Sequence, residues 1–223
     1  MEEIYNHRIF HELKGFSLAQ KRLNESKEKL LELGSVICRH KLHKIVGISL
    51  LHKHFDLQPN ERLVRKSIDN IHYVRPQIQE SCDCLIPYLW KVGQNYSLGQ
   101  WSYYPLEFVD ITSIEVVGKD LSESVMKNQE FLSDMAAKLS DLGLTDIFGI
   151  IIVHPIVTGL DEEKSLFEMT NNHTRTNMCL LTSTKTLEQE TATPTIWSFR
   201  LQKQYQSDCK KRNLFNFWEF FAQ

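Results

Sequence analysis

The chain reads as an α+β protein with a mainly antiparallel sheet, packed by a long N-terminal helix and a second helix near residues 121–142. Three observations carry that reading. Amphipathic stripes of helical period occur near the N-terminus and again past residue 120. Around them lie short apolar or alternating runs bounded by turn residues, the pattern of strands. Their order (helix, strands, helix, strands) is that of an α+β domain and not of alternating βαβ units.

The first helix is expected over about residues 10–40. Phe16, Ala19, Leu23, Ser26, Leu30, Leu33 and Ile37 fall at alternating three- and four-residue steps, on one stripe. The stripe either packs lengthwise on a sheet or forms an arm that binds a partner or a second copy. A strand follows over about 44–54, then the turn Gln58-Pro59-Asn60. A second strand starts near Arg62, its Glu61–Val64 portion running back beside the first as a hairpin. Pro76, Pro87, Pro105, Gly93 and Gly99 break up residues 76–113, so a short helix near 78–91 and an irregular or edge segment through "WSYYPLEFVDI" are expected.

Asp120 with Glu123 resembles a capping box, and Gly143 is a natural C-terminal stop for the second helix. Val125, Leu132, Met135, Leu139 and Leu142 form its stripe. "IFGIIIVHP" (147–155) reads as a strand buried on both faces. "KSLFEMTNNHTRTNMCLLTS" reads as a hairpin turning at Asn171-Asn172, with Thr170 facing His173 and Glu168 facing Arg175. "TPTIWSFRL" is the final strand, and Leu214, Phe217, Trp218 and Phe221 fall at helical spacing. The expected organisation is one domain over 1–223: a helical arm (1–41), a core (44–213) and an aromatic segment (214–223).

Composition removes several function classes. The 223 residues suffice for a substantial core, and a net charge of −2 gives no basic footprint for nucleic acid. No apolar run reaches the roughly 18 residues of a membrane span. "MEEIYNHRIFHELKG" lacks an apolar signal core, so no secretory signal is expected. Five cysteines without a staple pattern suit free thiols in a reducing compartment. The expected location is cytoplasmic, in the protein's own cell or in a host's cytosol. With nine glycines and no Gly-rich phosphate loop, Gly-x-Ser-x-Gly elbow or kinase signature, nucleotide sites lined by backbone are not expected.

Chemistry gathers at two places. On a strand, His52 and His54 would share a face, an arrangement able to chelate a metal or transfer protons. Asp56 extends the echo to the His-x-His-x-Asp opening of metallo-β-lactamase-like enzymes. Leu57 stands where the next histidine belongs and the N-terminal half is helical, so that fold is rejected. Further ligands (His72, His154, His173, Cys82, Cys84, Glu61) have no fixed spacing, and Cys38, His40 and His43 give no closed set. No cofactor is assigned, and a metal at His52/His54 is the less favoured reading. Cys82-Asp83-Cys84 lacks redox or zinc-knuckle spacing and reads as free thiols. The second place is the hairpin face carrying Glu168, Thr170, His173, Arg175 and Asn177, which meets either water or a ligand.

"GISLLHKHFDL" with Glu61, "YPLEF" (104–108), Glu168-Met-Thr, Arg175-Thr-Asn177 and "WSF" (197–199) together resemble a family of uncharacterised proteins, mainly fungal with occasional bacterial members. The resemblance covers about 45–200 in islands. It implies that His52, His54, Glu61, Glu168, Arg175 and Asn177 form one recurring pattern, and it implies no activity. Members of that family often end in a cysteine–histidine cluster, whereas here only Cys209 stands in that region, so no C-terminal zinc site is carried over.

Two functional classes follow. In the first, a polar site binds or acts on a small polar or anionic ligand. His52 or His54 transfers protons, Arg175 clamps the anion and Glu61 or Glu168 orients. In the second, residues 10–40 and the aromatic tail dock a protein partner or a second copy, as in a host-directed effector. A metal-dependent hydrolase is a weaker alternative, and whether the protein is an enzyme stays open.

Overall fold

The computed structural model describes residues 1–68, 71–79, 84–95, 98–113, 117–153, 164–183, 193–202 and 205–218. Ten strands form a sheet that closes on itself. They are β1 (Val46–Leu50), β2 (Glu61–Ile68), β3 (Ile71–Ile78), β4 (Leu85–Asn95), β5 (Gln100–Asp110), β6 (Phe148–Ile152), β7 (Lys164–Asn171), β8 (Thr176–Ser183), β9 (Thr193–Gln202) and β10 (Tyr205–Trp218). Around the ring they run β1-β6-β4-β5-β2-β3-β8-β7-β10-β9, and β9 pairs back onto β1. β2–β5 and β7–β10 are parallel; the other pairs are antiparallel. The mixed α+β character and the mainly antiparallel sheet therefore agree with the sequence.

The N-terminal stripe is buried as spaced, but not on one helix. α1 (His7–His11), α2 (Phe16–Ser26), a 3-10 turn (Lys27–Lys29) and α3 (Leu30–Arg39) succeed one another. All seven stripe residues from Phe16 to Ile37 lie in the core. The 3-10 turn redirects the chain so that α3 rests on β1, β9 and β10. Close approach there depends on Gly34, where a Cβ would stand 2.2 Å from the Phe199 ring. The arm reading thus loses its free apolar face.

The second helix is also two: α4 (Val117–Lys127) and α5 (Gln129–Asp141). Asn128 breaks it by capping α5, its side chain accepting from Phe131 N at 3.1 Å. Gly143 takes a left-handed turn (φ 68°) just beyond α5, as its stop position required. Among the described residues no helix is long and apolar enough to cross a membrane.

Other expectations are corrected. Residues 85–95 form β4, not a helix, and "WSYYPLEFVDI" forms β5, held between β4 and β2. Prolines do not exclude these strands, because β-bulges beside Pro87 absorb the lost backbone donor. β2 pairs with β3 and β5, not with β1. "TPTIWSFRL" is not the last strand: β10 follows and takes up Leu214, Phe217 and Trp218, while Phe221 lies outside the described residues. Among the described residues, Cys38 and Cys84 are each engaged in a disulfide and Cys179 is a free buried thiol, so the expectation of free thiols fails at Cys38 and at Cys84. Cys82 and His154 lie outside the described residues.

β1 and β6 are buried at all five of their positions, β6 as its apolar composition foretold, and β4 is buried at Ile86, Tyr88, Leu89, Trp90 and Val92. Gly149 sits where β6 crosses β4: a Cβ there would lie 2.4 Å from the Trp90 carbonyl oxygen. No rotamer relieves a clash with backbone. Gly149→Ala is expected to destabilise the fold by about 1–3 kcal/mol in urea denaturation, and an unchanged midpoint would show that the β4–β6 crossing is looser than described.

Candidate functional site

Registers around the ring bring polar residues together. Arg65 on β2 lies opposite Val74 on β3, Val74 opposite Asn177 on β8, and Asn177 opposite Thr170 on β7. One step along, Ser67, His72, Cys179 and Glu168 form a second row. Directly paired residues share a sheet face, so both rows look to the same side. That side is the lumen, because Arg65 and Glu168 meet although two strands separate β2 from β7 in the ring. Glu107, beside Leu63 in the β2–β5 register, stands diagonal to Arg65 on this face.

Arg65 is 1% exposed and Glu168 4%, so both are held away from water. Arg65 Nε donates to the Tyr88 hydroxyl at 3.1 Å, and that hydroxyl donates in a short hydrogen bond to Glu107. The Arg65 guanidinium also lies 5.2 Å from the Tyr88 ring centroid. Across the lumen, Arg65 Nη2 is 3.9 Å from Glu168 Oε1. Glu168 receives three further contacts, all long: Thr195 at 3.4 Å, Asn177 at 3.5 Å and the Cys179 thiol at 3.6 Å.

The two histidines lie just past the end of β1, not on it, and they converge all the same. Their ring centroids are 4.6 Å apart at 71°. His52 Nδ1 donates back to Leu50 O at 2.9 Å, and Phe16 packs edge-on against the ring at 5.3 Å. His54 Nδ1 lies 2.9 Å from Thr170 Oγ1, which donates to Asn177 Oδ1 at 3.4 Å. Asn177 Nδ2 in turn faces His54 Nε2 at 3.3 Å. An amide NH2 can only donate, so Nε2 of His54 is the acceptor nitrogen and Nδ1 carries the proton.

Burial sets the electrostatics. Desolvation lowers His52 to about 4, against a smaller opposing effect of the bond to Leu50. His54 falls well below its ordinary value through desolvation, with His52 and Arg65 adding to it. His72 is lowered to about 4 by desolvation and by Arg65. All three are neutral imidazoles at neutral pH. Desolvation raises Glu168 to about 6; Arg65 opposes this and Glu107 reinforces it. Burial likewise pushes up Glu107, Tyr88 and Cys179. Burial opposes the charge of Arg65, and the surrounding Cys179, Tyr88, Glu168 and Glu107 outweigh it.

Ser49, His52, His54, Arg65, Glu107 and Glu168 border a cavity in this lumen, with about 20 Å³ of room for the centre of a water molecule. That is the room needed by one water or a single ion. Among the described residues, His52, His54 and Glu168 form a trio that could hold a metal ion, with ligand atoms all within 4.8 Å of one another.

The hairpin expectation holds for three of the five residues of its face. Glu168, Thr170 and Asn177 do share one face, but the loop is four residues long, so Thr170 opposes Asn177 and Glu168 opposes Cys179. His173 is left exposed in that loop. Arg175, in left-handed conformation (φ 48°), does not reach the lumen. It grips Glu61 through two bonds, of 3.0 and 2.5 Å, and donates to Asp56 O at 2.6 Å. Glu61 and Arg175 therefore pin the 51–60 segment and the β7–β8 loop together at the rim. Neither side chain stands in the lumen with His52 and His54, whereas Arg65 is a cation that does. Arg65, Tyr88, Glu107 and Thr195 were not singled out in the sequence. For Arg65 a signal existed: in "ERLVRKSI" it alternates with Leu63, an inward position.

No protein-family model matches this chain, and no curated protein or solved structure is significantly similar to it.

The Arg175 hydrogen bonds hold the Glu61 carboxyl below its ordinary 4.5. A depressed acid stabilises the folded state above the unfolded value, and that contribution is lost as pH falls through the folded value. Glu61→Gln is expected to destabilise the protein by about 1 kcal/mol at pH 7, with the gap to wild type closing below pH 4.5 in urea titrations at several pH values. A gap independent of pH would show that the pair stabilises nothing through its charge.

Proposed function

We propose that this protein works through the lumen of its barrel, binding a small polar or anionic ligand between Arg65, His52, His54 and Glu168. The observation that carries the reading is the meeting of Arg65 with Glu168 across the ring, beside a cavity that two neutral histidines border. Lining a lumen with a guanidinium, two carboxylates and two imidazoles is expensive in desolvation. A sheet that needed only to close would fill the same space with aliphatic side chains. The cavity limits the occupant to a few atoms unless the 51–60 segment moves, and Arg175, donating to Asp56 O and Glu61, is one of the groups that hold that segment. Roles are accordingly reassigned. Arg65 takes the anion, His52 and His54 offer acceptor nitrogens, and Glu168 orients the ligand or balances its charge.

The competing docking reading has less to stand on. Its apolar stripe from Phe16 to Ile37 is consumed by the chain's own core, and the tail adds a strand to the ring.

Bicarbonate, an anion that also has one O–H to give to an imidazole nitrogen, is a small enough probe for thermal melts. Saturating bicarbonate is expected to raise Tm, since a ligand at 100 times its Kd adds about 2.7 kcal/mol to folded-state stability. His52→Ala and His54→Ala should each stay folded by circular dichroism and lose the rise. A rise that persists in both variants, or no rise in wild type, would sink the reading.

A further inference from the structure

We propose that the lumen holds one divalent first-row transition-metal ion, ligated by His52, His54 and Glu168. The proposal rests on the lumen being the working site and names its occupant.

The first support is distance. The three ligand atoms lie within 4.8 Å of one another, and bonds of about 2.0–2.2 Å to a shared ion need only a small inward shift of each group. The second is orientation. Both Nδ1 atoms are turned to oxygen acceptors, Leu50 O and Thr170 Oγ1, each at 2.9 Å. A backbone or hydroxyl oxygen on Nδ1–H fixes the tautomer and leaves Nε2 as the lone-pair nitrogen, which is how metal-bound imidazoles are held from behind. His52 Nε2 is shielded from solvent, so no bulk water competes for it. The third is the state of Glu168: its contacts run from 3.4 to 3.9 Å, all beyond the ordinary range for N–H···O and O–H···O bonds. A buried carboxylate held that loosely has lone pairs to give. Asn177 Nδ2, 3.3 Å from His54 Nε2, is the group the ion displaces.

Two imidazoles and one carboxylate select zinc, iron, cobalt, nickel or copper over magnesium and calcium, which prefer all-oxygen sites. Three protein ligands leave at least one coordination position open. Arg65, 3.9 Å from Glu168, stands beside that position and would receive an anionic co-ligand.

A surface site competes for any added metal and must be told apart. His7 and His11 stack at 5.5 Å, and His11 Nδ1 is 4.0 Å from Asp56. The test therefore uses the full chain after chelation and dialysis, titrated with Co2+ alone, beside an arm with bicarbonate alone, in wild type, His11→Ala, His54→Ala, Glu168→Gln and Thr170→Val. One Co2+ per chain is expected, with visible ligand-field bands, displaced by Zn2+ and not by Mg2+. His11→Ala should leave this unchanged, while His54→Ala and Glu168→Gln should abolish it. Thr170→Val should keep the spectrum with affinity lowered about 10- to 100-fold, as for an outer-shell partner. Should the variants misfold, the wild-type Co2+ protein decides by proton NMR. Two contact-shifted, slowly exchanging Nδ1–H signals support the site; one, or none, overturns it. Loss of Co2+ binding in His11→Ala, or binding untouched in His54→Ala and Glu168→Gln, also overturns it. If Co2+ fails while bicarbonate still stabilises wild type and not His54→Ala, the metal falls and the lumen reading stands. If both arms fail, both fall.

Discussion

A guanidinium inside a closed sheet is the constraint around which this molecule is organised. Moving Arg65 out of water is unfavourable by several kcal/mol unless charge and hydrogen bonds are returned to it. The returns come from three separate strands: Tyr88 on β4, Glu107 on β5 and Glu168 on β7. Each of those strands must therefore present one particular residue inward. A slip of a single residue in β2 would turn Arg65 to the outer face and bring Val64 and Lys66 to the lumen. The polar set thus fixes the register of a ring whose apolar residues alone would accept several.

The outer surface answers the same problem with apolar packing. α3 and α5 lie together on one side, over strands that have little surface left to expose. Trp90 and Trp197, both fully buried, anchor β4 and β9 in this layer, and Phe148 meets Trp197 edge to face at 5.8 Å. Polar groups concentrate inside the ring, and aliphatic and aromatic groups fill the space between ring and helices. This division leaves the lumen few ways to relax. His52 and His54 stay neutral because the surrounding shell is dry, and Glu168 is held by neighbours that stand slightly too far away.

Much of this was legible in the sequence where periodicity had one interpretation. The stripe from Phe16 to Ile37 was read at every position, because a three- and four-residue rhythm survives the insertion of a 3-10 turn even though helix continuity does not. Glu168, Thr170 and Asn177 were placed on one face by alternation alone, and His52 and His54 were brought to the site although β1 ends before them. The losses have equally specific causes. A hairpin loop of four residues instead of two moved Arg175 from the lumen to the rim. Prolines at 87 and 105 hid β4 and β5, and with them Tyr88 and Glu107, since bulges that tolerate proline leave no mark in the sequence. The spacing of Leu214, Phe217 and Trp218 suited a helix, yet long-range pairing to β9 and β7 made a strand. Arg65 was passed over because charge ordinarily marks solvent.

The seam between β1 and β9 bears on how the chain reaches this state. Ile48 pairs with Trp197, so the two sides of this seam lie about 150 residues apart along the chain. Contacts so distant along the chain form slowly, because the entropy of closure is lost before the pairing energy is gained. Arg65, Glu107 and Glu168 stand on β2, β5 and β7, so their common burial, and the perturbed ionisation of the lumen that comes with it, belongs to the completed ring and to no partly assembled sheet. A fragment of the chain cannot carry this site, because its groups come together from the end of β1 and from β2, β4, β5 and β7.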